Sequence, residues 1–143
     1  MSVLTCYVAG STKDVARVRR VQALARKYDM VISFDWTGED GEIRSSWEMA
    51  RNRGAVIAAK EVAASKCDVF ILVTPANGRG LGCYVEFGVA LGHGAICLVY
   101  PLLDRDSVFF CHPLVHVVDE YDGLETALEN LKWSAGKHVG MFR

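Results

Sequence analysis

Hydrophobic and polar positions along this chain follow two periods. Short, mostly apolar runs recur at Val3–Ala9, Met30–Phe34, Asp68–Thr74, Ala95–Tyr100 and Leu114–Val118. Runs of this length read as strands. The third, Val69-Phe70-Ile71-Leu72-Val73, is apolar on both faces, as expected of a central parallel strand. Between the runs lie segments with helical spacing. Lys13–Tyr28 places Val15, Val18, Val21, Leu24 and Ala25 on one stripe and leaves Arg17, Arg20, Arg26 and Lys27 as a solvated face. Ile43–Ala64 reads as a long helix, rich in alanine in its second half, with Gly54 expected to loosen it midway. Glu48 and Glu61 on this helix are expected to be surface charges. Gly82–His93 is a helix closed by Gly92-His93-Gly94, and Gly123–Trp133 is the last, with Leu124, Leu128 and Leu131 on one face. Thr37–Gly41 and Pro75–Leu81 read as loops, and Pro101–Pro113 as an irregular connection. Within that connection Val108-Phe109-Phe110 suits either core or a subunit contact. The tail after Ser134 is expected to be loose or used in assembly.

Strands alternating with helices imply one three-layer α/β/α domain over residues 1–143 with a five-stranded parallel sheet. Right-handed crossovers leave few topologies, and the flavodoxin-like, Rossmann-like order 2-1-3-4-5 is the expected one. Its switch point lies between strands one and three. That puts the Gly10 loop and the Pro75–Glu86 segment on the two sides of one cleft, at the carboxyl ends of the strands where such sheets bind ligands.

Composition narrows the class. Of the 143 residues 51% are hydrophobic, which excludes a disordered chain. The formal net charge of -1 leaves no electrostatic footprint for a nucleic-acid polymer or an anionic membrane surface. Small nucleotides remain suitable ligands, because one phosphate needs only a few local donors. No apolar run reaches the length that spans a bilayer. Met1–Ala9 lacks the basic region and cleavage site of a secretory leader, so a cytoplasmic location is expected. The five cysteines, Cys6, Cys67, Cys83, Cys97 and Cys111, form no Cys-x-x-Cys pair and read as reduced thiols, mostly buried, with a catalytic cysteine as the alternative. His93, His112, His116 and His138 show no metal-ligand spacing and read as structural or surface residues.

Three segments carry candidate chemistry. Tyr7-Val8-Ala9-Gly10-Ser11-Thr12-Lys13 ends the first strand and opens a helix. Its amides, the Ser11 hydroxyl and the Lys13 charge suit a phosphate, or Gly10 merely turns the chain while Ser11 or Thr12 caps the helix. Neither a P-loop nor a GxGxxG fingerprint is present. Asp68 opens the central strand, as a turn residue or a functional acid. Glu86 stands in Tyr84-Val85-Glu86-Phe87-Gly88-Val89-Ala90-Leu91, where a charge among apolar neighbours must reach solvent, be paired, or be used. Trp36 follows strand two at the same sheet edge and suits stacking on a base or packing in a loop. Trp47 and Trp133 read as packing residues.

These motifs, in this order from Met1 to about Tyr100, resemble the nucleoside 2-deoxyribosyltransferase family and its hydrolytic relatives, the 2'-deoxynucleoside 5'-phosphate N-hydrolases. The shared elements are Tyr7-x-x-Gly10-Ser11, Cys67-Asp68 before the apolar strand, and Gly82-x-x-x-Glu86-x-Gly88-x-Ala90. The resemblance implies that Glu86 is the nucleophile that attacks the anomeric carbon, that Tyr7 orients it, and that Asp68 helps to protonate the departing base or contacts the sugar. A glycosyl-enzyme ester would then pass to water or to a second base. Gly10, Ser11, Thr12 and Lys13, with Gly80, Gly82 and Arg79, would hold the substrate, including any 5'-phosphate. The transferases carry a further aspartate shortly before the nucleophile, which Ala76-Asn77-Gly78-Arg79-Gly80-Leu81 lacks, and the hydrolases carry a serine where Gly80 stands. Hydrolysis is therefore favoured over base exchange, with a ribonucleotide or NAD glycohydrolase as a further variant. A nucleotide-binding sensor without turnover is the alternative of another class. The resemblance implies no metal or redox cofactor, and a homodimer or higher homo-oligomer whose neighbouring chain helps to close the site.

Overall fold

The computed structural model describes residues 3–38, 47–76, 81–101 and 107–137. The elements along the chain are β1 (Thr5–Ala9), α1 (Val15–Lys27), β2 (Val31–Ile32), α2 (Trp47–Ser65), β3 (Val69–Val73), α3 (Leu81–His93), β4 (Ile96–Tyr100), β5 (Val115–Val117) and α4 (Tyr121–Lys137). Single 3-10 turns at Thr12–Asp14 and Val108–Cys111 precede α1 and β5. The five strands form one parallel sheet in the order β2-β1-β3-β4-β5. This is the three-layer, flavodoxin-like α/β architecture expected from the pattern. β3 is the centre: Tyr7 lies opposite Phe70 on one side, and Phe70 opposite Cys97 on the other. All five β3 residues are buried, because helices cover both faces.

The helices divide by their outer surfaces. α1 and α4 cover one face and are tied together by charge. Lys27 pairs with Glu125 at 2.7 Å, Lys132 with Asp29 at 2.8 Å, and the Arg20 guanidinium lies 4.1 Å over the Tyr121 ring. α2 and α3 pack against each other on the opposite face. Val108–Cys111 extends that layer, with Phe110 buried against Phe87 at a centroid distance of 5.8 Å.

Several boundaries differ from expectation. β2 ends at Ile32, because Ser33 turns its hydroxyl to the Ala64 carbonyl and leaves the sheet after one more backbone bond to Cys6. α2 runs unbroken through Gly54. Its inner stripe is Ile57, Glu61, Ala64 and Ser65, so Glu61 is buried and not a surface charge. α4 starts at Tyr121 and continues to Lys137, past the expected end at Trp133, because Ala135 prolongs the buried stripe of Leu124, Leu128 and Leu131. Trp133 points outward at 61% exposure and is not a packing residue. The 108–110 run divides: Phe110 is core, while Val108 and Phe109 are exposed. Among the described residues no helix is long and apolar enough to cross a membrane.

Candidate functional site

The site grows from two buried groups that meet across the sheet–helix boundary. Tyr7, in the middle of β1, is fully buried, and its hydroxyl donates a hydrogen bond to the Glu86 Oε2 of α3. The tyrosine is held by an aromatic row. Its ring stacks on Phe70 at 5.8 Å, and Phe70 stacks on Phe87 at 6.1 Å. Phe87 adjoins Glu86 on the helix, so the row fixes both partners. Glu86 is only 8% exposed. A carboxylate so placed needs strong donors, since an unpaired buried charge costs several kcal/mol. The phenol is one such donor, and a charge-assisted bond of this kind is stronger than a neutral one.

The same burial silences the neighbouring thiols. Burial, and then the nearby Glu86 charge, pushes the Cys83 thiol up to about 12. Burial pushes Cys67 and Cys97 to about 12 as well, and Cys6 well above its usual range. A thiol that stays protonated at neutral pH is a poor nucleophile, so these four buried cysteines are unsuited to covalent chemistry. Cys111 is exposed, unlike the other four.

Two chain segments meet at the carboxyl edge of the sheet, as the switch point requires. Ser11 is buried and caps the 3-10 turn, its Oγ accepting from the Lys13 amide at 3.2 Å while its carbonyl accepts from the Asp14 amide at 2.9 Å. Thr12 and Lys13 are exposed beside it. Asp14 reaches across to the segment after β3, where its Oδ2 accepts from the Ala76 amide at 3.2 Å. Arg17 pairs with the same oxygen at 3.4 Å and donates to the Thr74 carbonyl at 3.3 Å. Gly10 is required by packing, since a Cβ there would stand 2.6 Å from Val18 Cγ2. Gly82 is exposed in the first turn of α3, where an added Cβ would meet nothing within 4 Å. Arg79 and Gly80 lie outside the described residues.

Two expected site residues are placed elsewhere. Asp68 sits at the amino end of β3, where its Oδ2 accepts from the Thr5 amide at 2.9 Å and the Thr5 hydroxyl at 3.2 Å. It ties the entries of β1 and β3 together, at the opposite end of the strands from the crevice, and is corrected here to a strand-entry residue. Trp36 is 1% exposed and donates its indole N–H to the Val8 carbonyl at 2.7 Å. It belongs to the core and presents no face for stacking on a base. Its neighbour Asp35 binds this loop to α1, accepting from Gln22 at 3.1 Å and from the Thr37 amide at 3.0 Å and hydroxyl at 2.5 Å. Partial burial raises the Asp35 pKa, but the Thr37 and Gln22 bonds with the Arg26 charge outweigh it and hold the carboxyl below its ordinary value.

Glu61 was missed by pattern reading and is the second buried carboxyl group of the α2–α3 layer, at 7% exposure. The Ala64 carbonyl of α2 accepts from Ser33, whose hydroxyl also meets the Cys6 carbonyl. Glu61 lies one helical turn before Ala64 on the same inner stripe. The spacing Ile57-Glu61-Ala64-Ser65 was its only signal. Among the described residues no three His, Cys, Asp or Glu side chains are grouped to hold a metal ion, and His93, His112 and His116 are all exposed.

Compared with known families and with curated proteins, the chain matches no family model and no curated sequence.

Proposed function

We propose that this protein cleaves the N-glycosidic bond of a (2'-deoxy)nucleoside or its 5'-monophosphate, with water as the favoured acceptor. The observation that carries the reading is the Tyr7 hydroxyl bonded to the buried Glu86 carboxylate beside the switch-point crevice. Glu86 attacks the anomeric carbon as the bond to the base nitrogen breaks, giving a glycosyl ester on its carboxylate. Water then adds at the same carbon, giving a proton to the group that protonated the base, the ester bond breaks, and the Glu86 carboxylate is restored. A sugar without a 2'-hydroxyl carries positive charge readily at that carbon, so one positioned carboxylate is chemically adequate. Tyr7 is the positioning residue. It holds the attacking carboxylate in one rotamer and leaves it poised for reaction.

Asp68 is too far toward the amino edge to serve the departing base. Glu61 is the carboxyl group we assign to that role, delivering a proton to the base nitrogen as the bond breaks. The motif likeness to the nucleoside deoxyribosyltransferases and their hydrolytic relatives supports the same chemistry.

The α2–α3 layer also supports self-association. The exposed residues of α3 are Leu81, Gly82, Tyr84, Val85, Gly88, Gly92 and His93, and its one acid, Glu86, faces inward. Val56 and Val62 of α2 and Val108 and Phe109 are also exposed in this layer. A second copy of the chain is the partner we assign to it, in keeping with a homo-oligomeric glycosidase.

Chromatographic detection of free base tests the reading, with a panel of ribo- and deoxynucleosides and their 5'-monophosphates, with and without an acceptor base. Glu86→Gln is expected to lower release by at least about 10³-fold. Wild-type protein that binds members of the panel yet releases no base from any of them is a sensor, not a glycosidase.

A further inference from the structure

We infer that Asp14 sets the substrate class of this site: its carboxylate stands where a substrate phosphate would otherwise bind, so the site selects an uncharged nucleoside over its 5'-monophosphate. The inference rests on the glycosidase reading above and deepens it. In doubly wound sheets, the turn after the first strand attracts anions because amides at the helix start lack partners and point into the crevice. Here the chain itself supplies partners to two of those amides. The Lys13 amide is taken by Ser11 Oγ and the Asp14 amide by the Ser11 carbonyl. From the other wall of the cleft, the Ala76 amide is taken by Asp14 Oδ2. The Arg17 guanidinium is divided between that oxygen and the Thr74 carbonyl.

Asp14 thus acts as a resident anion. Its side chain is only 13% exposed, and it bridges both segments that flank the crevice. A phosphate dianion entering between these segments must expel the carboxylate from its donors or lie beside it. Either course sets like charges close together. Lys13 adds an exposed cation at the rim, and exposed charges contribute little to holding an anion. A 5'-hydroxyl meets no such repulsion. It can donate to a carboxylate, which has more acceptor positions than the two donors at Oδ2 fill.

The experiment compares kcat/KM for base release from deoxynucleosides and their 5'-monophosphates, using wild type, Asp14→Asn and Asp14→Gly, with equilibrium dialysis of both ligand classes in parallel. The expected result is a wild-type preference for nucleosides of at least about tenfold, narrowed at least about threefold in each folded variant. Two variants guard against one that fails to fold, and the wild-type ratio stands without either. A wild-type preference for monophosphates, or a ratio unmoved in the folded variants, overturns the assignment of Asp14 while leaving the glycosidase reading intact. Absence of release from every substrate defeats the glycosidase reading instead. Dialysis then decides the inference: tighter binding of nucleosides upholds it, and equal or tighter binding of monophosphates overturns it.

Discussion

The Tyr7–Glu86 bond makes a prediction that separates positioning from structure. Tyr7→Phe keeps the ring that stacks on Phe70 and removes only the donor. A hydrogen bond to a charged group is worth about 1.5–3 kcal/mol, so kcat is expected to fall about 10- to 100-fold. The acidic limb of the rate profile should also move to higher pH, because a carboxylate stripped of a donor holds its proton more tightly. Steady-state rates across pH, beside a thermal melt, check this. An unchanged profile would remove Tyr7 from the mechanism. At this scale Glu86 was legible because a lone charge in an apolar run has few places to go. Glu61 was not, because α2 has alanines and valines on both sides. Only contact with the sheet decides that Ile57, Glu61 and Ala64 face inward while Val56 and Val62 face outward. Trp36 and Asp68 stood at plausible sequence positions, but the direction of each side chain depends on partners, Val8 and Thr5, that are remote along the chain.

Elements are joined at this sheet edge by close contacts that substitutions can probe. Gly10→Ala brings a methyl against Val18, whose α1 lies directly over the turn, and should destabilise the fold by about 1–3 kcal/mol. Val18→Ala alone leaves a cavity. The double variant should be less destabilised than the sum of the two by about 1 kcal/mol, since each change relieves the other. Urea unfolding of the four proteins measures the coupling, and strict additivity would show that the turn moves freely away from α1. A second joint is Asp35, which anchors the segment after β2 to Gln22 of α1. Its folded pKa lies below the ordinary 3.8. Its charge therefore adds stability above that value, and the contribution disappears as pH falls through the lower folded pKa. Asp35→Asn should be less stable than wild type near neutrality by under about 1 kcal/mol, a small figure because the side chain is 45% exposed. The two should converge below about pH 3. Unfolding midpoints from pH 7 to 2.5 check it, and a gap that persists in acid would trace the effect to lost geometry rather than charge. The element order was readable from period and punctuation, and the sheet topology from these together with the right-handed crossover rule. Helix ends were less so, because Ala135 and Ser33 are fixed by what they pack against.

The whole molecule is asymmetric in its two outer layers, and this carries the last prediction. α1 and α4 meet water with arginines, lysines and acids, and they are joined by ion pairs. Among the described residues, the opposite layer holds seven of the eleven large hydrophobic side chains that stand exposed: Val56, Val62, Leu81, Tyr84, Val85, Val108 and Phe109. A domain that works alone seldom leaves such a patch in water, whereas a two-fold interface must use one self-complementary patch on both copies. Exposed Gly88 and Gly92, where an added Cβ would meet nothing within 4 Å, leave the α3 backbone open to close approach by a second helix. Sedimentation velocity at micromolar concentration should therefore show the wild type as a dimer or larger. Val85→Arg, at the centre of the stripe, should shift it to monomer with its unfolding curve nearly unchanged, because Val85 is 63% exposed and leaves no core cavity. A wild type that stays monomeric at high concentration would remove self-association from the proposal. Glu86 lies one residue beyond Val85, on the inner side of the same helix turn. Loss of the dimer should thus also lower base release, by loosening the helix that aims the carboxylate at Tyr7. A Val85→Arg monomer with full activity would show that the apolar layer serves assembly alone and that the site is complete within one chain.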